Sequence, residues 1–246
     1  CFIIIPSTSN QRDWKGYVET YLYKYFFKSF FNTFDPEHEY IFYIGIDNND
    51  RIYDNTLIQT LFSKYISKFE RCFIQFITKD SIKKGHLSAI WNKLFSKAFE
   101  DGCDYFYQCG DDVQLLNPGW INHSIETLKA SNNMGVTGPI HKSFSAIYQK
   151  ELLLTQSFVS RKHMEIFGYY FPNEIINWCV DDWISEVYQP NYCFPLKTKI
   201  VKNLGGKPRY KINNELNPTK QGLKSVCDLC IKRGKKQLKN YLTASS

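Results

Sequence analysis

Apolar residues along this chain come in short blocks separated by polar clusters, and two kinds of block alternate. Phe2-Ile3-Ile4-Ile5, Tyr40–Ile46, Cys72–Thr78 and Tyr105–Cys109 are continuous runs rich in Ile, Phe and Tyr, which read as buried strands. Between them lie stretches with helical spacing: an aromatic-rich one from about Tyr17 to Phe34, then Leu57–Ser67, then His86–Glu100. In the last, Leu87, Ile90, Trp91, Leu94, Phe95 and Ala98 form one stripe. This alternation predicts an α/β domain, a parallel or mostly parallel mixed sheet flanked by helices. Ligands of such sheets sit beyond the carboxyl ends of the strands. The polar clusters Ser7–Arg12, Asp47–Asp50 and Asp111–Asp112 each follow a strand and are expected to converge on one crevice. After Trp120 the pattern mixes: a helix near Ile121–Ala130, short strands at Gly135–Thr137 and Leu153–Ser160, and helices near Lys162–Phe167 and Asp182–Tyr188. A basic helix is expected from Leu223 to Leu242, so the chain divides into a domain over 1–210 and a basic extension over 211–246.

A length of 246 residues fits one large α/β domain or two small ones, and 43% hydrophobic with 22% charged residues excludes disordered and fibrous classes. The net charge of +7 suggests nucleic acid until it is located. Residues 220–239 carry seven Lys/Arg against one acid, Asp228, a surplus of six that leaves about +1 for everything else. A nearly neutral body has no general basic face for a duplex, so no nucleic-acid partner is expected. The basic tail is free to meet an anionic membrane, a polyanion or only solvent. No apolar run approaches the ~18–20 residues that span a bilayer. The chain opens on Cys1 with an apolar run too short for a signal peptide, so it reads as a trimmed domain of something larger. Eight scattered Cys lack the density of a disulfide scaffold, and Cys227-x-x-Cys230 has no second half to complete a zinc site. A reduced compartment is favoured on that ground, and localisation is otherwise open.

Two acidic pairs carry the candidate chemistry. Gly110-Asp111-Asp112 ends the strand Tyr105–Cys109; two carboxylates at a strand tip suit Mg²⁺ or Mn²⁺ whose other ligands are water and phosphate oxygens. The plain alternative is that they cap the turn leading to Asn117-Pro118-Gly119. Asp181-Asp182 lies seventy residues later between Trp178 and Trp183, where flanking indoles exclude water and suit a general base. Here the alternative is an N-cap for the helix that follows. His141 and His163 are expected at the surface or behind the site, and the aromatics of the first helix in the core. Trp178 and Trp183 are candidate sugar platforms.

In this order the motifs resemble the GT-A fold of nucleotide-sugar-dependent glycosyltransferases. There, a strand-end DxD or xDD motif binds metal and sugar diphosphate, and a later acidic pair supplies the base of inverting members. Gly110-Asp111-Asp112 looks like the first and Asp181-Asp182 like the second. Further matches are Ile4-Ile5-Pro6, Asp47 at the end of the second strand, Ala89-Ile90-Trp91-Asn92, and Phe158-Val159-Ser160-Arg161 leading into Phe167-Gly168-Tyr169-Tyr170-Phe171-Pro172. The resemblance covers roughly residues 1–210 and implies a metal-dependent transfer from a nucleoside-diphosphate sugar, with a UDP-sugar favoured, to a hydroxyl on a glycan, protein or lipid acceptor. It implies that Thr8, Arg12 and Asp47 hold the nucleotide, with Lys84 and Asn92 along the same side. Asp112 is the favoured ligand for Mn²⁺ or Mg²⁺, with Asp111 touching the metal, a metal-bound water, the ribose or the sugar. Asp182, paired with Asp181, takes the acceptor proton. Many GT-A enzymes add a metal ligand, commonly His, after this pair, but none of the His at 38, 86, 123, 141 and 163 lies beyond Asp182. Asn203-Leu204-Gly205-Gly206-Lys207-Pro208-Arg209-Tyr210 stands there instead, and Lys207 and Arg209 are candidates to bind phosphate directly. A glycine pair in an ordinary turn is the plainer reading of Gly205-Gly206. The same fold without turnover would be a sugar- or nucleotide-binding module. A sugar-phosphate nucleotidyltransferase would want a Gly-rich loop after the first strand, and Pro6–Arg12 has no Gly.

Overall fold

Strands that are apolar on both faces need cover on both, and the arrangement follows from that requirement. The computed structural model describes residues 1–141, 153–205 and 220–244. The strands are β1 (Phe2–Ser7), β2 (Tyr40–Ile46), β3 (Cys72–Thr78), β4 (Tyr105–Gln108), β5 (Val113–Leu115), β6 (Val136–Ile140), β7 (Ser157–Ser160) and β8 (Cys193–Asn203). They form one eight-stranded sheet in the order β3-β2-β1-β4-β7-β6-β8-β5. The block β3-β2-β1-β4 is parallel, β7 runs antiparallel to β4 and β6, and β8 runs parallel to β6 and antiparallel to β5. The helices are α1 (Lys28–Phe31), α2 (Thr56–Ile66), α3 (Leu87–Glu100), α4 (Trp120–Ala130), α5 (Lys162–Phe167), α6 (Val180–Val187) and α7 (Lys220–Ala244).

Alternate residues of β1 enter opposite cores. Phe2 and Ile4 join a layer with α3, α5, α6 and α7, whereas Ile3 and Ile5 join one with α1, α2 and α4. β2 and β3 match the expected strands residue for residue, as does helix α5. The stretch expected as one helix from Tyr17 to Phe34 is instead a 3₁₀ turn (Tyr17–Glu19), a π-helical stretch (Leu22–Phe27) and then α1. Its wider turn lets the neighbours Phe26 and Phe27 both face the sheet, where Phe27 and Phe30 meet Phe42 edge-on at 5.1 and 5.0 Å. These rings are fully buried, as core aromatics.

The basic helix does not hang off the domain. On α7, Cys227, Cys230, Ile231 and Leu238 are buried in the same layer as Trp183 and Val187 of α6. The Trp183 indole donates to the Cys230 carbonyl at 3.2 Å. Gly234 is the contact point: a Cβ there would lie 2.6 Å from Val187 Cγ2, closer than packing allows. Arg233 holds Glu174 through two bonds of 2.5 and 3.0 Å. Among the described residues, no helix is long and apolar enough to cross a membrane.

Candidate functional site

The loops beyond β1 and β2 are knitted together by one buried carboxylate that the sequence reading passed over. Asp50 is 1% exposed and accepts from the Ser9 N–H at 2.7 Å, the Ser9 hydroxyl at 2.6 Å and the Thr8 hydroxyl at 3.1 Å. The N–H groups of Ile52 and Tyr53 complete it at 3.0 and 2.9 Å. Burial alone would raise its pKa, but the bonds from Ser9, Tyr53 and Ile52 outweigh that and hold the carboxyl below its usual range. Beside it, Asp47 accepts from the Asn10 amide at 3.0 Å and faces Lys79 at 3.4 Å, and Lys79 also reaches the Ser7 carbonyl. Thr8, expected at a nucleotide, is thus already engaged with Asp50 and with the Asn10 N–H.

Arg12 ties this loop to the end of β8. Its guanidinium lies 4.7 Å from the Tyr21 ring centre and 5.6 Å from that of Trp14, and donates to the Gly205 carbonyl at 3.3 Å. Gly205 in turn abuts Asp112: a Cβ at Gly205 would lie 2.0 Å from Asp112 Oδ2 and 2.8 Å from its Cβ. A Cβ at Gly110 would fall 2.6 Å from the other oxygen, Oδ1. Two glycines therefore make room for one carboxylate. The Leu204 N–H donates to the Asp112 carbonyl at 2.9 Å, which fixes the same contact from the backbone. Gly205 thus follows the end of β8, the strand between β6 and β5, and lies against the acidic motif. Asp111 is buried, 3% exposed. The preceding Cys109 thiol is pushed well above its ordinary range, first by burial and then by Asp112 and Asp111, so it is no nucleophile. At the mouth of β1 the Ser7 hydroxyl and the Arg12 Nε are buried without a hydrogen-bond partner among the described residues, a state that native proteins rarely leave unsatisfied.

These residues fit a hard divalent cation as far as protein ligands go. Two adjacent carboxylates are present, one of them in a cradle that any side chain at 205 would fill, and Mg²⁺ commonly takes one or two carboxylates plus substrate phosphate. Among the described residues no cluster of three His, Cys, Asp or Glu could hold a metal alone. Lys207 and Arg209 lie outside the described residues.

Asp181 and Asp182 stand half-buried in the first turn of α6. The helix starts at Val180, two residues earlier than expected, so Asp182 is not its cap. That position belongs to Cys179 with φ 73°, and Asp181 Oδ1 accepts the Asp182 N–H at 3.1 Å. The Cys227 thiol points at the Cys179 carbonyl at 3.8 Å. Its hydrogen bond with Cys179, its burial and the carboxylates of Asp182 and Glu186 all push it far above the ordinary thiol range. Trp183 is fully buried and unavailable to a ligand, whereas Trp178 is 39% exposed.

Hydrogen bonds also tie the segments around this helix to neighbouring strands and loops. The Leu154 N–H donates to Ser185, and the Gln156 amide donates to Asn203 at the end of β8 beside Leu204. On the other flank the Asn177 amide donates to the Gly85 carbonyl at 3.1 Å, and the Ser88 N–H to the Ile176 carbonyl, so the loop bearing the exposed Lys84 is fastened to the approach to Asp181. Asn92 takes part as a clamp: its amide N–H₂ reaches the Phe171 carbonyl and Asn173, and its oxygen accepts the Tyr170 and Phe171 N–H groups. With donors and acceptor so used, Asn92 holds the 170–173 segment. His163 is core: Nε2 donates to the Tyr170 carbonyl, Nδ1 accepts from Tyr188, and burial lowers its pKa to about 4. His141, at the end of β6, is buried and also lowered by burial.

No protein-family model matches the sequence, and no curated protein is significantly similar to it. Solved structures do resemble it. The crystal structure of S. aureus TarS superposes with a TM-score of 0.53 at 14% identity, covering 81% of this chain and 35% of TarS. TarS 1-349 gives 0.53 at 12% identity, and its complex with UDP 0.52 at 11%, each covering 81% of this chain and 58% of that one. The chain thus spans about a third to under three fifths of the length of these solved chains. At such identities the likeness shows the architecture alone, and that architecture is GT-A-like: a mixed, mostly parallel eight-stranded sheet between helical layers.

Proposed function

We propose that this chain is a glycosyltransferase acting on a nucleoside-diphosphate sugar, a UDP-sugar first among them, and transferring the sugar with inversion to an acceptor hydroxyl. The observation that carries the reading is the Arg12–Gly205–Asp112 contact, which joins the loop after β1 to the acidic motif on a GT-A-like frame. The UDP complex of a structural neighbour supports the nucleotide assignment. In this reading the Ser7–Arg12 loop, stiffened by Asp50, receives the base and ribose together with Asp47. Arg12, Lys84, Lys207 and Arg209 supply positive charge toward the diphosphate. Asp112, with Asp111, would hold Mn²⁺ or Mg²⁺, which when bound neutralises charge on the leaving diphosphate. Asp182 accepts the proton of the acceptor hydroxyl as its oxygen attacks the anomeric carbon, and Trp178 packs against a sugar face. The acceptor is a glycan, a protein or a lipid.

A thermal-shift screen of nucleotide sugars with and without Mn²⁺, followed by transfer and donor-hydrolysis assays, tests the reading. UDP-sugars should raise the melting temperature. Asp112→Asn and Asp182→Asn should each lower turnover by about 10²–10⁴-fold. Stabilisation without any turnover would make the chain a binding module, and no stabilisation by any nucleotide sugar would defeat both.

A further inference from the structure

Helix α7 is divided lengthwise. Its buried side carries Cys227, Cys230, Ile231, Gly234 and Leu238, and its open side carries Lys224, Lys232, Lys235, Lys236 and Lys239, all exposed. At 3.6 residues per turn these five lysines fall within an arc of about 120° and along about 22 Å of axis. None of the five forms an ion pair among the described residues; the helix's one arginine is turned aside onto Glu174. Asp228 is the single acid on that face, near its upstream end. Leu229 stands at the border of the stripe with 65% of its surface exposed.

We infer that this face is a docking surface for an anionic lipid bilayer. The proposal is independent of the glycosyl-transfer reading. Three features favour a bilayer over a soluble polyanion. The charges are lysine ammonium groups, point charges suited to a diffuse field, whereas bidentate phosphate recognition favours arginine. They lie on one face of a single helix packed on the body, so they form a stripe along its axis. An exposed leucine beside them gains by entering the headgroup boundary and gains nothing from a hydrated polyanion. The charge is also concentrated: residues 220–239 hold a surplus of six, against about one for the rest of the chain.

Co-sedimentation of the full chain with phosphatidylcholine vesicles, and with vesicles containing 30% phosphatidylserine (roughly the anionic content of a cytoplasmic leaflet), tests the inference. At 0.1 M salt, partitioning onto the anionic vesicles should exceed that onto neutral ones by at least about tenfold. It should vanish at 1 M salt, where the screening length falls to about 3 Å. The combined variant Lys232→Glu, Lys235→Glu, Lys236→Glu, Lys239→Glu should abolish it without lowering the melting temperature, and Leu229→Ser should weaken it severalfold. Equal binding to both vesicle types, or unchanged binding by a folded charge-reversal variant, would overturn the proposal. So would retention on heparin or polyphosphate without vesicle binding. A charge-reversal variant that fails to fold is replaced by Lys232→Gln, Lys236→Gln, for which at least a threefold loss is required.

Discussion

The loops after β1 and β2 and the helix α6 are held by different forces. Around β1 and β2, a single carboxylate and its five hydrogen bonds pin two loops, and Asp47 with Lys79 adds a second polar tie. Around α6, the holding force is apolar: Trp183 is enclosed by Phe167, Tyr169, Phe171 and helix α7, and Gly234 lets that helix come close. Directional bonds fix the backbone of loops whose apolar anchor is Tyr53, packed on Phe62. Packing fixes a helix axis and leaves its first-turn carboxylates half-open. The loops are therefore shaped before anything binds, and the helix presents acids on a rigid support.

Trp183→Ala tests the apolar side most severely. A fully buried indole is removed, and a loss of about 3–5 kcal/mol in a urea melt is expected, with α6 and α7 losing amide protection ahead of the β-sheet. Should protection fall first at β1 and β2, the two regions are not separately supported. Gly205→Ala tests the contact that joins the β1 loop to Asp112. The new methyl evicts the Asp112 carboxylate, so sugar transfer should fall by about 10²-fold while the melting temperature moves little. Asp50→Asn weakens the polar side by about 2–3 kcal/mol, because a neutral amide leaves buried N–H and O–H donors poorly answered. The pH dependence follows from its depressed carboxyl: the stabilisation is present at neutral pH and is lost as pH falls through the folded value, below 3.8. The gap between wild type and Asp50→Asn, measured at pH 7 and pH 3, should narrow at the lower pH. Arg233→Ala is the smallest change. This exposed pair with Glu174 is worth under about 1 kcal/mol, and a larger loss would mean that α7 is held by charge more than by packing.

Much of this was legible in the residues, for identifiable reasons. Continuous apolar runs reported β1 and β2 because both of their faces are buried, and β3 by its run alone, since it is an edge strand with Phe73 and Gln75 exposed; the acidic doublets stood out by composition. β8 escaped notice because Lys197 and Lys202 face solvent and its burial follows no strict alternation. β5 is too short to show a period. The break in the aromatic helix depends on where Phe42 lies, which local spacing does not encode. Asp50 had a local signal: an Asp whose side chain answers the N–H groups two and three residues on, as those of Ile52 and Tyr53 do here. Its bonds to Thr8 and Ser9 join segments some forty residues apart, and only the fold discloses them.

The seat of α7 also bears on how the polypeptide is made. Strands β1 to β4 and the layer of α1, α2 and α4 draw on residues that leave the ribosome early, and the polar ties of Asp50 connect only such residues. Trp183 and Val187 must wait for Cys230, Ile231 and Gly234, so their apolar surface stays open through that interval of translation. A nascent chain stopped before α7 carries its acidic pair on an uncovered, sticky helix, and release of such fragments should draw chaperones to α6 before any other part of the molecule.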